Sequence, residues 1–528
     1  PPHKGEGRTE VAERADTVHQ RPFERSRMIR AFAGGRRRTR TQPSHQYGDE
    51  RVTGRSVTET LTPDICVIGA GSGGLSVAAA AAAFGVPVVL IERGKMGGEC
   101  LNTGCVPSKS LIAAGKRARA IADAAAFGVS TQAAEIDFAK VHRHVHGVIA
   151  AIAPNDSKAR FNGLGVRVIE GAARFKDRGT VVVGETEIAA RRFVVATGSS
   201  PALPPIAGLD GVPYLTNETI FDLATRPEHL IVIGAGAIGL ELAQAFRRLG
   251  SAVTVLEAAQ PLAREDKECA AIVLDALARE GVAIRSHVAV ARLEAAAGKI
   301  KVLFGDGAPA IEGSHLLIAT GRKANTQGLA LEAAGIACDR NGIVIDNGLK
   351  TSNRRVYAIG DVAGRGQFTH LANYQAGLVI RNALFRLPVK VNADLVPRVT
   401  FTDPELAHVG LTETQARERG ITLRVLRWPY HENDRAQTER ETMGHIKVLT
   451  DGRGKILGAT IVGAAAGELI TAWTLAIGRG LNIRALAGMI VPYPTLAEIG
   501  KRAAVTYFLP TVTSVWVRRI IAFLRRFG

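Results

Sequence analysis

The chain reads as an α/β protein containing two doubly wound, Rossmann-like dinucleotide-binding units. Two observations carry that fold. A glycine-rich turn between an apolar strand and a helix occurs twice. In both copies an acidic residue ends the next strand 23 positions after the first glycine (92 − 69 and 257 − 234). A third observation carries the chemistry: Cys100 and Cys105 have four residues between them, and Cys100 lies eight residues beyond the first of those acids (100 − 92).

The first copy runs Ile65-Cys66-Val67-Ile68-Gly69-Ala70-Gly71-Ser72-Gly73-Gly74, continues through an Ala-rich helical stretch and ends at Val88-Val89-Leu90-Ile91-Glu92. Gly69 permits the tight turn, Gly71 lets backbone amides approach a pyrophosphate, and Gly74 lets the helix pack closely on the strand. Glu92 is then placed to bind a ribose diol. The second copy repeats this at Leu230 to Gly239, with Gly234, Gly236 and Gly239 in the same roles and Glu257 closing Val253-Thr254-Val255-Leu256-Glu257. One such turn is weak evidence; two, each with its strand and acid, define two dinucleotide sites.

Between them lies Cys100-Leu101-Asn102-Thr103-Gly104-Cys105, followed by Val106-Pro107-Ser108-Lys109. Thiols at the start of a helix are favoured as thiolates, so the pair suits disulfide exchange more than holding a fold together. Only five cysteines occur in 528 residues, which excludes a disulfide scaffold. Cys66, Cys269 and Cys338 fall on a strand, a helix and a loop, where packing or incidental exposure accounts for them. Val194-Val195-Ala196-Thr197-Gly198-Ser199 and Leu317-Ile318-Ala319-Thr320-Gly321-Arg322 read as buried strands ending in small-residue turns. Tyr357-Ala358-Ile359-Gly360-Asp361 is a strand ending in an acid, where a ligand hydroxyl could be held.

The formal net charge is +18, and half of it sits at the ends. Residues 1–60 carry 13 Lys/Arg against 8 Asp/Glu, and residues 509–528 carry four Arg and no acid. With aromatics at 5% and no basic run interleaved with them, nucleic-acid binding is not expected. Residues 1–60 read as a disordered basic extension, with an Arg-rich targeting segment from Met28 as the alternative. No stretch reaches the ~18 apolar residues of a membrane span, and a cytoplasmic location is expected. The tail, 509–528, reads as an amphipathic basic helix. Trp516, Ile520, Phe523, Leu524 and Phe527 fall on one side, and Arg518, Arg519, Arg525 and Arg526 on the other. That pattern raises peripheral contact with a membrane surface.

Taken together, Gly97-Gly98-Glu99-Cys100 through Lys109, the two glycine turns and the Ala-Thr-Gly and Gly-Asp segments resemble the class I pyridine nucleotide-disulfide oxidoreductases. That family includes dihydrolipoamide dehydrogenase, glutathione reductase and mercuric reductase. The resemblance covers about residues 61–508. It implies an FAD-binding domain in two parts, 61–205 and 324–392, around a nicotinamide-binding domain, 206–323, and a C-terminal α+β dimerisation domain, 396–508. FAD would lie on the first glycine turn, with Glu92 on the adenosine ribose, Asp361 and Gly360 on the flavin side chain, and Thr197, Gly198, Ser199 and Gly321 lining the cofactor sites. Lys109, paired with Glu241, would lie near flavin N5. Cys105 would contact the flavin and Cys100 would exchange with substrate. The carboxylate of Glu257 suits the 2′-hydroxyl of NAD and would repel the 2′-phosphate of NADP. The partners implied are a second copy of the chain and a small-molecule electron acceptor.

One segment departs from the thiol-disulfide members of that family. Where they carry His-x-His-Pro-Thr-x-x-Glu, this chain has Val491-Pro492-Tyr493-Pro494-Thr495-Leu496-Ala497-Glu498. Tyr493 replaces the acid-base His, and Glu498 is kept. A phenol titrates near pH 10, too high for a base at neutral pH. In this respect the chain is similar to mercuric reductases, although it lacks their terminal Cys pair and their Cys-x-x-Cys domain. The expected activity is transfer of electrons from NAD(P)H to Cys100–Cys105 and on to a disulfide, a metal ion or another small acceptor. The alternatives are dihydrolipoamide oxidation, quinone reduction at a membrane surface, and a redox-sensing binding module.

Overall fold

A computed structural model of the chain describes residues 59–296, 298–305 and 307–527. The basic N-terminal extension lies outside the described residues apart from its last two positions.

The strand Ile65–Ile68 is apolar at every position and fully buried, as expected of a parallel strand covered on both faces. It is the middle strand of a five-stranded parallel sheet in the order 356–358, 192–195, 65–68, 88–92, 166–170. The outermost strand, Val356–Ala358, enters this sheet only after the chain has built an entire second unit. Helices Ser72–Ala83 and Thr369–Phe385 pack on each other beside it.

The second unit repeats the plan with four parallel strands in the order 283–286, 252–257, 229–233, 315–318. A three-stranded antiparallel sheet, 290–296, 299–304 and 311–313, completes it. Its first helix, Ala237–Arg248, packs against Cys105–Asp123, the helix that carries the second thiol. The helix that follows the second glycine turn is thereby brought against the helix of the second thiol.

The C-terminal part is a five-stranded antiparallel sheet in the order 398–400, 405–410, 456–463, 445–450, 424–429. Helices Ala466–Gly478 and Glu498–Thr506 cover it, and Ile446, Val448, Ile461 and Trp473 form part of the common core. Strand His445–Thr450 also reaches the second unit. Lys447, almost fully buried, meets Asp266 at 2.8 Å, Glu268 at 3.1 Å and Glu413 at 2.8 Å. Removing Lys447 would leave the almost fully buried Asp266 carboxylate without this cation, so the pair ties the C-terminal sheet to the second unit.

Two sequence-based expectations are corrected in detail. The tail is two helices, Leu509–Val512 and Val515–Leu524, with a break at Thr513–Ser514, and not one helix from residue 509. Pro510 sits in the first turn of the shorter helix, where its missing N–H has no intrahelical partner to lose. Cys338 lies on a two-residue strand paired with Gly342–Ile343, not in a loop, because Asp339 and Asn341 close a tight hairpin there. Among the described residues no helix is long and apolar enough to cross a membrane.

Candidate active site

The two glycine turns are built alike. Each first glycine has a positive φ (+105° at Gly69, +111° at Gly234). A side chain on either would run into the carbonyl of Ala196 or Ala319, which ends the neighbouring parallel strand. Each acid closes its turn: Ala70 N–H donates to Glu92 at 2.5 Å, and Ala235 N–H donates to Glu257 at 2.8 Å. The second carboxylate oxygens accept from Gly94 N–H at 2.7 Å and Ala259 N–H at 2.9 Å. Gly74 and Gly239 pack directly on the first glycine's carbonyl, which is the close helix-to-strand approach expected of them.

The cysteine pair is seated by backbone contact with the first turn. Gly97 N–H donates to Ala70 O at 3.0 Å, and Gly98, at φ +60°, faces Gly71 so closely that an added Cβ would lie 2.6 Å from its Cα. Cys100 follows on the short helix Gly98–Asn102, and Cys105 is the first residue of the helix Cys105–Asp123. Both thiols are free. Cys100 donates a hydrogen bond to Cys105 and Thr369 lies 3.4 Å from the Cys105 Sγ; together with the Lys109 charge these bring Cys105 down to about 6 against the opposing effect of burial. The same bond, with burial, pushes Cys100 well up. At neutral pH the reduced pair is a thiolate at Cys105 with a proton on Cys100.

One helical turn beyond Cys105, Lys109 Nζ meets Glu241 at 2.6 Å. The other Glu241 oxygen accepts from Phe401 N–H at 2.9 Å, and the Phe401 ring lies 4.3 Å from Lys109 Nζ. Three parts of the chain thus meet on one carboxylate: the thiol helix, the first helix of the second unit and the edge of the C-terminal sheet.

A second polar cluster flanks Cys100 on its N-terminal side. Arg322, almost fully buried, donates to Glu99, to Asn217 at 3.3 Å, and to Ser199 at both its Oγ (2.8 Å) and its carbonyl (2.7 Å). Asn217 also donates to Glu99 at 2.8 Å. Ser199 Oγ in turn donates to Asp361 at 2.6 Å. Burial raises Glu99 to about 7 although Arg322 opposes it, and burial likewise raises Asp361. Thr197 Oγ1 donates to Asn325 O at 2.8 Å, and Asn325 N–H donates to Gly198 O at 3.0 Å, so the turn carrying Thr197 and Gly198 is pinned to the strand after Gly321. Gly360 N–H donates to Gln375 Oε1 at 2.7 Å, and the buried Gln375 Nε2 has no hydrogen-bond partner among the described residues.

Of the residues expected at the sites, Cys100, Cys105, Lys109 and Glu241 come together, and Ser199 meets Asp361. Glu92 closes the first turn, and Gly234, Gly236, Gly239 and Glu257 form the second. Tyr493 and Glu498 have their partners elsewhere in the chain. Tyr493 is 69% exposed and its hydroxyl donates to Asp434 at 2.8 Å, which raises the phenol further above its ordinary range. Glu498 begins the helix Glu498–Thr506 and its charged partner is Arg502, 4.0 Å away. The sequence reading did not assign site roles to Glu99, Asn217, Arg322, Thr369, Phe401 or Gln375. Only Glu99, adjacent to Cys100, and Arg322, adjacent to Gly321, carried a local signal.

A thiol pair joined to one of two dinucleotide-type glycine turns is the arrangement of a flavin- and nicotinamide-dependent disulfide oxidoreductase. The profile described as "Pyridine nucleotide-disulphide oxidoreductase" matches residues 63–376, and that family's dimerisation domain matches residues 396–504. The chain belongs to the pyridine nucleotide-disulphide oxidoreductase family. It is 38% identical over 450 residues to a mercuric reductase of Lysinibacillus sphaericus, covering 84% of this chain and 82% of that one. It is 36% identical over 458 residues to a dihydrolipoyl dehydrogenase of Thermus scotoductus, covering 83% and 95%. Among solved structures it is similar to LpdA of Mycobacterium tuberculosis (TM-score 0.78, 28% identity, 84% of this chain and 99% of that one). It is also similar to the HOCl-induced flavoprotein disulfide reductase RclA of Escherichia coli (TM-score 0.75, 29% identity, 84% and 99%).

Membership makes the chain a FAD-dependent oxidoreductase that uses NAD(P), moves electrons by way of its flavin and a redox disulfide, and carries the domain through which the family forms homodimers. The residues present fit both nucleotides. A Cβ on Gly236 would meet nothing within 4 Å, and one on Gly71 would meet only Gly98, at 3.9 Å, so the middle glycines leave room where a pyrophosphate would lie. Gln375 Nε2 adds an unused donor in the fold beside Gly360 and Asp361.

Proposed function

We propose that this enzyme oxidises NADH and delivers the two electrons through Cys100 and Cys105 to a metal ion or small disulfide, and that it does not run in the direction of dihydrolipoamide oxidation. FAD, when bound, supplies the two-electron relay between nicotinamide and disulfide. Glu92, Ser199, Asp361 and Lys109 are the residues that would hold it, and Glu257 and the second glycine turn would hold the nicotinamide dinucleotide.

The chain's own part follows from proton and charge placement. Two electrons entering the Cys100–Cys105 bond break it, and Cys100 takes up the one proton that leaves the nicotinamide with them. Cys105 keeps the negative charge, held by the Cys100 thiol, Thr369 and Lys109. Cys100, half-buried and the more basic sulfur, is the stronger nucleophile once it loses its proton. It attacks a disulfide acceptor and expels one thiolate; Cys105 then attacks Cys100 in the mixed disulfide, expels the second thiolate and re-forms the Cys100–Cys105 bond. Alternatively both sulfurs bind a soft cation, which takes the electron pair as that bond re-forms.

The observation that carries the choice of acceptor is the state of Tyr493. Its hydroxyl donates to Asp434, and the phenol stays protonated far above neutral pH. It supplies no base for a dithiol substrate, which has two protons to lose. A metal ion brings no such proton. The choice of NADH rests on Glu257, whose neighbours Ala258, Ala259 and Gln260 bring no cation to receive a 2′-phosphate.

The test is an anaerobic panel in which the FAD-loaded enzyme is given NADH or NADPH with Hg(II) or glutathione disulfide, and NAD with dihydrolipoamide. Turnover on Hg(II) or glutathione disulfide, driven by NADH and lost in Cys100→Ala, is expected. Faster turnover of dihydrolipoamide with NAD would overturn the acceptor assignment, and preference for NADPH would overturn the role of Glu257.

A further inference from the structure

Electron transfer leaves the C-terminal helix Val515–Leu524 without a part. None of its residues is buried. At about 100° per residue its side chains divide into two arcs. Trp516, Ile520, Phe523 and Leu524, with Phe527 just past the end, occupy one arc and are each between 55% and 74% exposed. Arg518, Arg519, Arg525 and Arg526 occupy the other. The apolar arc is ordered by its own contacts: the Phe523 and Phe527 rings meet edge-on at 5.1 Å, and the Arg519 guanidinium lies 5.7 Å from the Trp516 ring.

We infer that residues 509–527 dock the enzyme on an anionic lipid surface, with the apolar arc at the acyl boundary and the arginines among headgroup phosphates. Charge selects this occupant. Residues 509–528 carry four Arg and no acid, and the whole chain carries +18, so a second copy offers these arginines a surface of like sign. A bilayer containing anionic lipid offers the opposite sign together with an apolar layer at the right depth, and each arginine near it adds to the attraction. A ten-residue helix is about half the length needed to cross the hydrocarbon and suits one that lies in the interface. Trp516, with a large ring and one N–H, belongs at that boundary.

The inference is independent of the acceptor. The FAD-loaded full chain is sedimented with vesicles of phosphatidylcholine alone or mixed with phosphatidylglycerol, with and without high salt. Two variants are run beside it: R518E/R519E/R525E/R526E, and I520S/F523S. Binding to the phosphatidylglycerol vesicles is expected to be at least about tenfold tighter than to phosphatidylcholine. It should weaken with salt and be lost in both variants, while NADH turnover with a soluble acceptor stays at the parent level. Trypsin should cut at the tail arginines in the free enzyme and be blocked by phosphatidylglycerol vesicles. Equal binding to both vesicle types, no binding to either, or undiminished binding by the charge-reversed variant would overturn it. So would a tail already protected from trypsin without vesicles, an outcome that would assign the helix to contact between copies.

Discussion

The two glycine turns share their strand, acid and backbone clamp, yet their middle glycines face different surroundings. Gly71 lies against Gly98 of the thiol loop, whereas a side chain on Gly236 would meet nothing within 4 Å. The first turn is thus built into the redox centre and the second is open. The difference suits a nucleotide that stays with the enzyme in one case and one that enters and leaves on every turnover in the other. One motif serves both because its own hydrogen bonds are local, while the fate of its ligand is set by what packs against it.

The comparison breaks most visibly at the seam of the closed turn. Gly98→Ala forces a side chain into a positive φ and onto the backbone of Gly71. A penalty above about 3 kcal/mol is expected, seen as loss of flavin absorbance on purification, while binding of a nicotinamide analogue to the second turn persists. If Gly98→Ala keeps its flavin, the closed turn is not what retains it.

At the open turn, Glu257→Gln should lower kcat/KM for NADH by about tenfold and raise the NADPH to NADH ratio, measured as initial rates with both nucleotides. The thiol pair gives the next effect in size. Alkylation of the reduced enzyme should rise with pH through about 6, because the lowered thiol at Cys105 is converted to thiolate across that range. Replacing Cys100 with Ala removes the donor that holds the charge, and the midpoint should move up by about one pH unit or more, read from the alkylation rate against pH. The smallest change in stability belongs to Gly236→Ala. Its φ of −78° is ordinary and the space is open. Unfolding free energy should stay within about 0.5 kcal/mol of the parent, while the KM for NADH rises several-fold through crowding of the bound pyrophosphate.

Much of this was legible in the order of residues. The glycine turns, the strand-ending acids and the cysteine spacing are local patterns, and each sits where its local rule placed it. The Glu99, Asn217 and Arg322 cluster was not legible, since Asn217 and Arg322 lie 118 and 223 positions from Glu99 and no period links them. Phe401 joins the site through its N–H, a group every residue but proline possesses. The last strand of the first sheet, Val356–Ala358, is three residues long, too short to announce its neighbours; its placement came from resemblance alone. The tail's amphipathic period was plain, but its break depended on Thr513 and Ser514, which bear no stronger mark than Pro510 does.

The carboxylate of Glu241 has a consequence for module exchange. One of its oxygens holds Lys109 and the other holds the backbone at Phe401, on the far side of the boundary near residue 396. A chimera that takes its C-terminal domain from a relative inherits a new loop path at position 401, and a displaced amide there frees one arm of the glutamate. Lys109 would feel the change although no residue near the thiols had been touched. The seam between modules is therefore a border in sequence that electrostatics does not respect, and a donor domain must be chosen by the course of its backbone there as well as by its fold.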